Sequence, residues 1–228
     1  MKLEKILTKW FDEYEIKARI FPVIILSLPF ILLGISLQMP SFLFAESFFI
    51  ILFCKVLMGF VQTKGNDYQD RMIKEWGGLP STRYIRKADK KYTIEFKNKF
   101  INKVKKLLDI ELDIKNDQSI ITVFSAIRAY LHNFDKRKNW HKFDIDYGFF
   151  RNLSGLRIWI IGSYFSAVSV YIVLFLFQHA DTSEHIVFSW LILFLMFLII
   201  QFYSPKACQR NAVHYAESVI MSFFEMPE

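Results

Sequence analysis

The sequence predicts an all-α membrane protein with four transmembrane helices and a helical cytoplasmic domain inserted between the second and third spans. Composition gives the first indication. Apolar residues make up 53% of the 228, and mean hydropathy is +0.24, yet 22% of residues are charged. Apolar and charged residues must therefore be segregated along the chain, which suits a few spans plus one small domain. The second observation is that residues 20–37, 158–177 and 186–203 carry no charge, and each stretch is near the roughly 20 residues a helix needs to cross hydrocarbon. The third is the placement of cations: residues 64–157 hold 21 Lys/Arg against 12 Asp/Glu, while the rest of the chain is slightly acidic.

The expected organisation in order is an interfacial amphipathic helix over 1–19, transmembrane helices one and two within 20–62, and a basic helical cytoplasmic domain over 63–156. Transmembrane helices three and four follow within 157–203, then a cytoplasmic C-terminal helix over 204–228. The first segment places Leu3, Ile6, Leu7, Trp10, Phe11 and Tyr14 on one helical face beside Lys2, Lys5 and Lys9, the pattern of a helix lying along the inner leaflet. No cleavable signal is expected ahead of the first span, because its apolar run is too long for a typical signal core. Pro22 and Pro29 interrupt the hydrogen bonding of that span, which membrane helices tolerate where neighbours satisfy the freed carbonyls.

The second span, 42–62, contains Glu46 near its start and Lys55 inside it. Lys55 either snorkels to the inner interface or lines a water-filled pore. The connections 38–45 and 178–185 contain no Lys or Arg, so the positive-inside rule places the basic segment and both termini in the cytoplasm.

Within the basic segment, Phe96, Phe100, Val104, Leu107 and Leu108 form one amphipathic helix. Ile120, Phe124, Ile127, Leu131 and Phe134 form another, opened by an Asp117 or Ser119 cap after a turn over 115–119. Ahead of them, Gly77-Gly78-Leu79-Pro80-Ser81-Thr82 precedes Arg83, Arg86, Lys87, Lys90 and Lys91. A hydroxyl cap and Pro there would open a helix whose amides point at a phosphate, or form a plain turn and cap. Further on, Arg128, Arg137, Lys138 and Arg151 are interleaved with Trp140 and Tyr147. With Arg83, Arg86, Lys87, Lys90 and the Tyr84 ring, these make a candidate single-stranded nucleic-acid surface, where cations neutralise phosphates and rings stack on bases. The same cations suit anionic lipid headgroups. After the last span, Pro205 is expected to turn the chain out of the bilayer, and Val213, Ala216, Ile220 and Phe223 mark a face that folds back on the basic domain.

Chemistry is sparse. The sequence lacks HExxH, a Walker A loop, GxSxG and a dinucleotide fingerprint, so no catalytic residue, cofactor or metal is expected. His179, Asp181, Glu184 and His185 read as a solvated outer loop rather than metal ligands. Cys54 and Cys208 read as small buried hydrophobes, with no disulfide framework.

Two runs carry a family resemblance: Trp76-Gly77-Gly78-Leu79-Pro80-Ser81-Thr82-Arg83 with Arg86 and Asp89, and Tyr147-Gly148-Phe149-Phe150-Arg151-Asn152-Leu153-Ser154-Gly155-Leu156-Arg157 entering a span. Together with the two-span, insertion, two-span layout, they resemble membrane effectors of bacterial anti-phage defence, of the Hailong type. The resemblance implies a tetrameric channel in the bacterial inner membrane. It implies closure by single-stranded DNA oligomers, oligo-deoxyadenylate, made by a partner nucleotidyltransferase, and depolarisation with growth arrest on release. A defence effector opened by a cyclic nucleotide and a non-channel adaptor reading anionic lipid are the alternatives.

Overall fold

The computed structural model describes residues 11–37, 47–135, 139–177 and 184–227, with 47–54 and 139 described by backbone alone. Its described residues are helical, without strands. In order these are α1 (Glu13–Glu15), a π-helical turn (Ile16–Ile20), α2 (Phe21–Ser36), α3 (Ser47–Trp76), α4 (Pro80–Arg83), α5 (Ile94–Leu108), α6 (Asp117–Phe134), α7 (Asn139–Gly155), α8 (Arg157–Leu176) and α9 (Glu184–Glu225). Leu3, Ile6, Leu7 and Trp10 of the expected interfacial face, Glu46, the 38–45 connection, most of 178–185, Arg137 and Lys138 lie outside the described residues. So does the Cys54 side chain.

The chain divides into two compact units, one of residues 1–69 and 148–208, the other of residues 70–147 and 209–228. Three helices among the described residues are long and apolar enough to cross a membrane: Glu13–Ser36, Arg157–Leu176 and Glu184–Glu225.

In the first unit α2 packs along α8. Its core gathers Phe11, Ile20, Val23, Met58, Val61, Leu153, Leu156, Ile160, Tyr164, Trp190 and Phe197. Backbones approach closely where α3 meets α7. A Cβ at Gly65 would stand 2.0 Å from Asn152 Oδ1, and one at Gly155 would stand 2.1 Å from the Lys64 carbonyl oxygen, so only glycine fits either position.

Prolines explain the polar residues of that junction. Pro22 has no N–H to offer the Ala18 carbonyl four residues earlier, and Asn152 Nδ2 donates to that oxygen at 2.7 Å. Pro205 likewise leaves the Gln201 carbonyl without its helical donor, and Arg157 Nη1 donates to it at 3.3 Å while Gln201 Nε2 donates to the Arg157 carbonyl at 2.6 Å. The expected turn at Pro205 is therefore corrected: α9 runs unbroken from Glu184 to Glu225, with a neighbouring side chain replacing the lost backbone bond.

The second unit has a ring-lined core. Tyr92 stacks on Phe96 with centroids 4.5 Å apart, Phe96 on Phe224 at 4.9 Å, and Phe100 meets Phe223 edge-on at 5.8 Å. Tyr130 extends the series from Phe223 to Phe134. Val104, Ile120, Val123, Ile127, Leu131, Val219 and Ile220 fill the spaces between. Of the expected C-terminal face, Ala216, Ile220 and Phe223 are buried in this unit and Val213 is half-buried, on a helix that continues straight through Pro205.

Helix starts differ from the expected ones in detail. Asn116, not Asp117 or Ser119, caps α6, its side chain accepting from the Gln118 amide at 2.9 Å. Asp117 is freed for another partner, and Ser119 Oγ accepts from the Asp113 amide at 3.0 Å. Thr93 caps α5, accepting from the Phe96 amide at 3.2 Å.

Candidate nucleic-acid interface

The residues expected to meet phosphates are built around the end of α3. Gly77 at φ 66° and Gly78 at φ 119° take the left-handed conformations that stop this helix. Pro80 then starts the four-residue α4, whose cap position is Leu79 with no side-chain bond, while Ser81 and Thr82 are buried. The amides of Thr82 and Arg83 both bond to the Leu79 carbonyl. The hydroxyl-capped phosphate loop is therefore corrected: these amides are used inside the turn, because a single helical turn closes on its own carbonyls.

The arginines of this segment finish α3. Arg83 Nη1 donates to the Trp76 carbonyl at 3.2 Å, and Arg86 Nη1 donates to the Gly77 carbonyl at 2.7 Å, neutralising carbonyls that a helix end leaves unpaired. The rest of the Arg86 guanidinium forms a two-pronged pair with Asp117: Nε donates to Oδ1 at 2.7 Å, and Nη2 donates to Oδ2. Such a fork fixes geometry as well as charge.

Lys97 holds the following loop from inside. It is 1% exposed, and its ammonium donates to the Arg86 and Asp89 carbonyls, each at 2.5 Å. Burial pulls its pKa below the ordinary lysine value, and Asp89 partly opposes this. Lys91 pairs with Glu217 at 2.5 Å and lies 5.4 Å from the Tyr84 ring centroid. The hydrogen bond to Glu217 raises the Lys91 pKa, while burial raises those of Tyr84 and Tyr92.

The remaining expected residues separate. Lys87 and Lys90 are exposed on the outside of this loop. Arg128 is held by Asp144 at 3.3 Å and lies 5.6 Å from the Tyr215 centroid. Tyr84 is half-buried. Trp140 and Tyr147 are 3% and 8% exposed, so the fold gives these rings to the core of their unit; Tyr147 lies nearly parallel to Tyr215 at 6.0 Å. Arg151 belongs to the other compact unit, where it bonds Gln69 Oε1 at 3.1 Å and Asn152 Oδ1 at 3.3 Å. In that unit too, Lys55 is exposed, with its ammonium 5.2 Å from the Phe11 ring centroid, within cation–π range.

Sequence reasoning missed Lys97 and Lys103. Both lie on the buried side of α5 with Phe100 and Val104, and their spacing of three from Phe100 was the available signal. It also missed the junction roles of Asn152 and Arg157. Among the described residues no three His, Cys, Asp or Glu side chains gather as metal ligands. No protein-family model, curated protein or solved structure matches this chain.

Proposed function

We propose that this chain is a non-enzymatic membrane effector of bacterial anti-phage defence: an inner-membrane homo-oligomer, a tetramer, that conducts ions unless single-stranded DNA oligomers hold it closed. In this reading four spans, 20–37, 42–62, 158–177 and 186–203, form the pore. Both termini and an inserted basic domain face the cytoplasm, and a partner nucleotidyltransferase supplies the oligo-deoxyadenylate. Degradation of the oligomer by phage nucleases releases the channel, collapses the membrane potential and arrests growth.

The observation that carries this reading is the pairing, in one chain, of helices containing long charge-free stretches whose apolar side chains face outward with a helical unit rich in exposed lysines. The family resemblance of the two quoted runs supplies the sign of the response. Lys87 and Lys90 are the phosphate contacts of choice, since their ammonium groups are exposed and Arg83, Arg86 and Arg128 are engaged within the fold. Inhibition requires the ligand to bind the closed arrangement more tightly than the open one. A strand touching several subunits meets that condition by fixing their basic domains in the closed geometry. Lys55 on the pore lining would tune which ions pass.

The decisive experiment combines binding and flux. Solubilised protein is titrated with labelled oligo-deoxyadenylate across a salt series, and ion flux from protein-containing liposomes is recorded with and without the oligomer. Salt-dependent binding that falls in Lys87→Glu with Lys90→Glu, together with flux that the oligomer suppresses, is the expected result. No binding at low salt, or flux indifferent to the oligomer, overturns DNA gating.

A further inference from the structure

One helix of the second unit carries a concave cationic surface that does not include Lys87 or Lys90. Lys99, Asn102, Lys103 and Lys106 fall at spacings of three and four along α5 and so share one face. With Phe224 of α9 they line a groove of about 520 Å³, within the range of small-ligand sites. Among the described residues, no carboxylate lines it.

The base of this groove is built rather than incidental. Lys103 is 8% exposed, and its ammonium donates to the Phe224 carbonyl at 2.7 Å and the Met226 carbonyl at 2.5 Å. The Phe224 ring centroid lies 5.6 Å away. An ammonium has three donors, and the two carbonyls take two of them. A desolvated positive charge with a donor to spare therefore sits at the groove floor, where water screens it poorly.

Lys99 and Lys106 stand exposed on the rim at either end of the same face. The pairing of Lys99 with Glu95 at 2.7 Å joins side chains that are 64% and 78% exposed. A pair so open to solvent is readily exchanged for a more highly charged partner. Asn102 adds an amide between the two rim cations.

We propose that this groove binds clustered phosphate groups, Lys103 holding one phosphate at the floor and Lys99 and Lys106 holding its neighbours at the rim. Such phosphates come either from a soluble polyphosphate, as in a nucleoside triphosphate, or from a lipid headgroup with two phosphates. Binding here does not depend on ion conduction and uses residues outside the Lys87 and Lys90 surface assigned above. Occupancy also bears on the end of α9, because the ammonium that meets the ligand also bonds the Phe224 carbonyl in its last turn and the Met226 carbonyl just beyond it.

The test uses the full-length chain in detergent, titrated by calorimetry with inorganic triphosphate and with ATP, and in nanodiscs with and without cardiolipin. Lys99→Glu with Lys106→Glu should weaken binding at least about tenfold. Asn102→Trp, which fills the groove without changing charge, should do the same. Lys74→Glu with Lys115→Glu, exposed cations outside the groove, should stay within about twofold of the parent. Triphosphate binding lost in both groove variants identifies a soluble ligand, and cardiolipin binding alone lost in both identifies the lipid. Absence of either at low salt, or equal losses in groove and control variants, overturns the proposal.

Discussion

Among the described residues, twenty-three exposed large apolar side chains belong to the unit of 1–69 and 148–208, and four, Ile94, Ile121, Phe134 and Met221, to the unit of 70–147 and 209–228. Charge runs the other way. In the second unit Lys74, Lys87, Lys90, Lys99, Lys105, Lys106 and Lys115 are exposed, whereas α2 and α8 between Phe21 and Leu176 carry one charge, Arg157. Both units are helical and both bury a core, so secondary structure does not separate them. What separates them is the medium each exterior suits: hydrocarbon for side chains such as Phe175, Leu176 and Ile199, water and anions for the lysines.

If that difference governs stability, equivalent changes should have unequal costs. The largest effect is expected at Phe100, 1% exposed between Phe96 and Phe223. Phe100→Ala should lower stability of the second unit by about 3–5 kcal/mol, whereas Phe175→Ala, at 46% exposure on α8, should stay within about 0.5 kcal/mol in detergent. Denaturant titration of the two variants compares them directly, and equal losses would break the contrast.

Next comes Leu195→Arg, on the outward face of α9. A cation at the centre of a span costs about 2.5–3.5 kcal/mol for insertion, so the membrane-integrated fraction should fall sharply. Ile121→Arg on the exposed face of α6 should leave that fraction unchanged. Gly155→Ala is expected to cost about 1–3 kcal/mol by overpacking, since its Cβ would meet the Lys64 backbone; a shift in thermal unfolding of the solubilised protein reads it.

The smallest effect is electrostatic and confined to the second unit. Lys91 binds its proton more tightly when folded, through its hydrogen bond to Glu217. The stability it contributes is present below the ordinary lysine pKa of 10.5 and is lost as pH rises through the raised value. Burial holds Tyr84 and Tyr92 above 10.0, so ionising them also favours unfolding at alkaline pH. Lys97 opposes this, because its lowered pKa makes the unfolded chain bind more protons and stability rise with pH. Glu217→Gln removes the Lys91 contribution, and the alkaline loss of stability measured above about pH 10 should become shallower.

The sequence was most readable where a helix face repeats. Apolar runs without charge named α2, α8 and the first half of α9, and spacings of three and four named α5, α6 and the end of α9. It was least readable where a polar side chain has a choice of partners. Arg83 and Arg86 look in sequence like phosphate ligands, yet an arginine near a helix end can satisfy carbonyls equally well, and here it does. Trp140 and Tyr147 look like stacking rings, yet Tyr215, Val219 and Ile220, more than sixty residues later in the sequence, provide α9 with the buried face that such rings can join. Residue type fixes what a group can bond to, and distant chain decides which bond it makes.

The two carbonyls left by prolines bear on how this sequence can change. Asn152 is needed because Pro22 cannot donate, and Arg157 serves Gln201 because Pro205 cannot. Replacing Pro22 with a residue that carries an amide hydrogen would remove the need Asn152 meets, so the two substitutions should be less harmful together than their separate losses predict. Pro22 with Asn152, and Pro205 with Arg157, therefore form two epistatic pairs, each free to drift only as a couple.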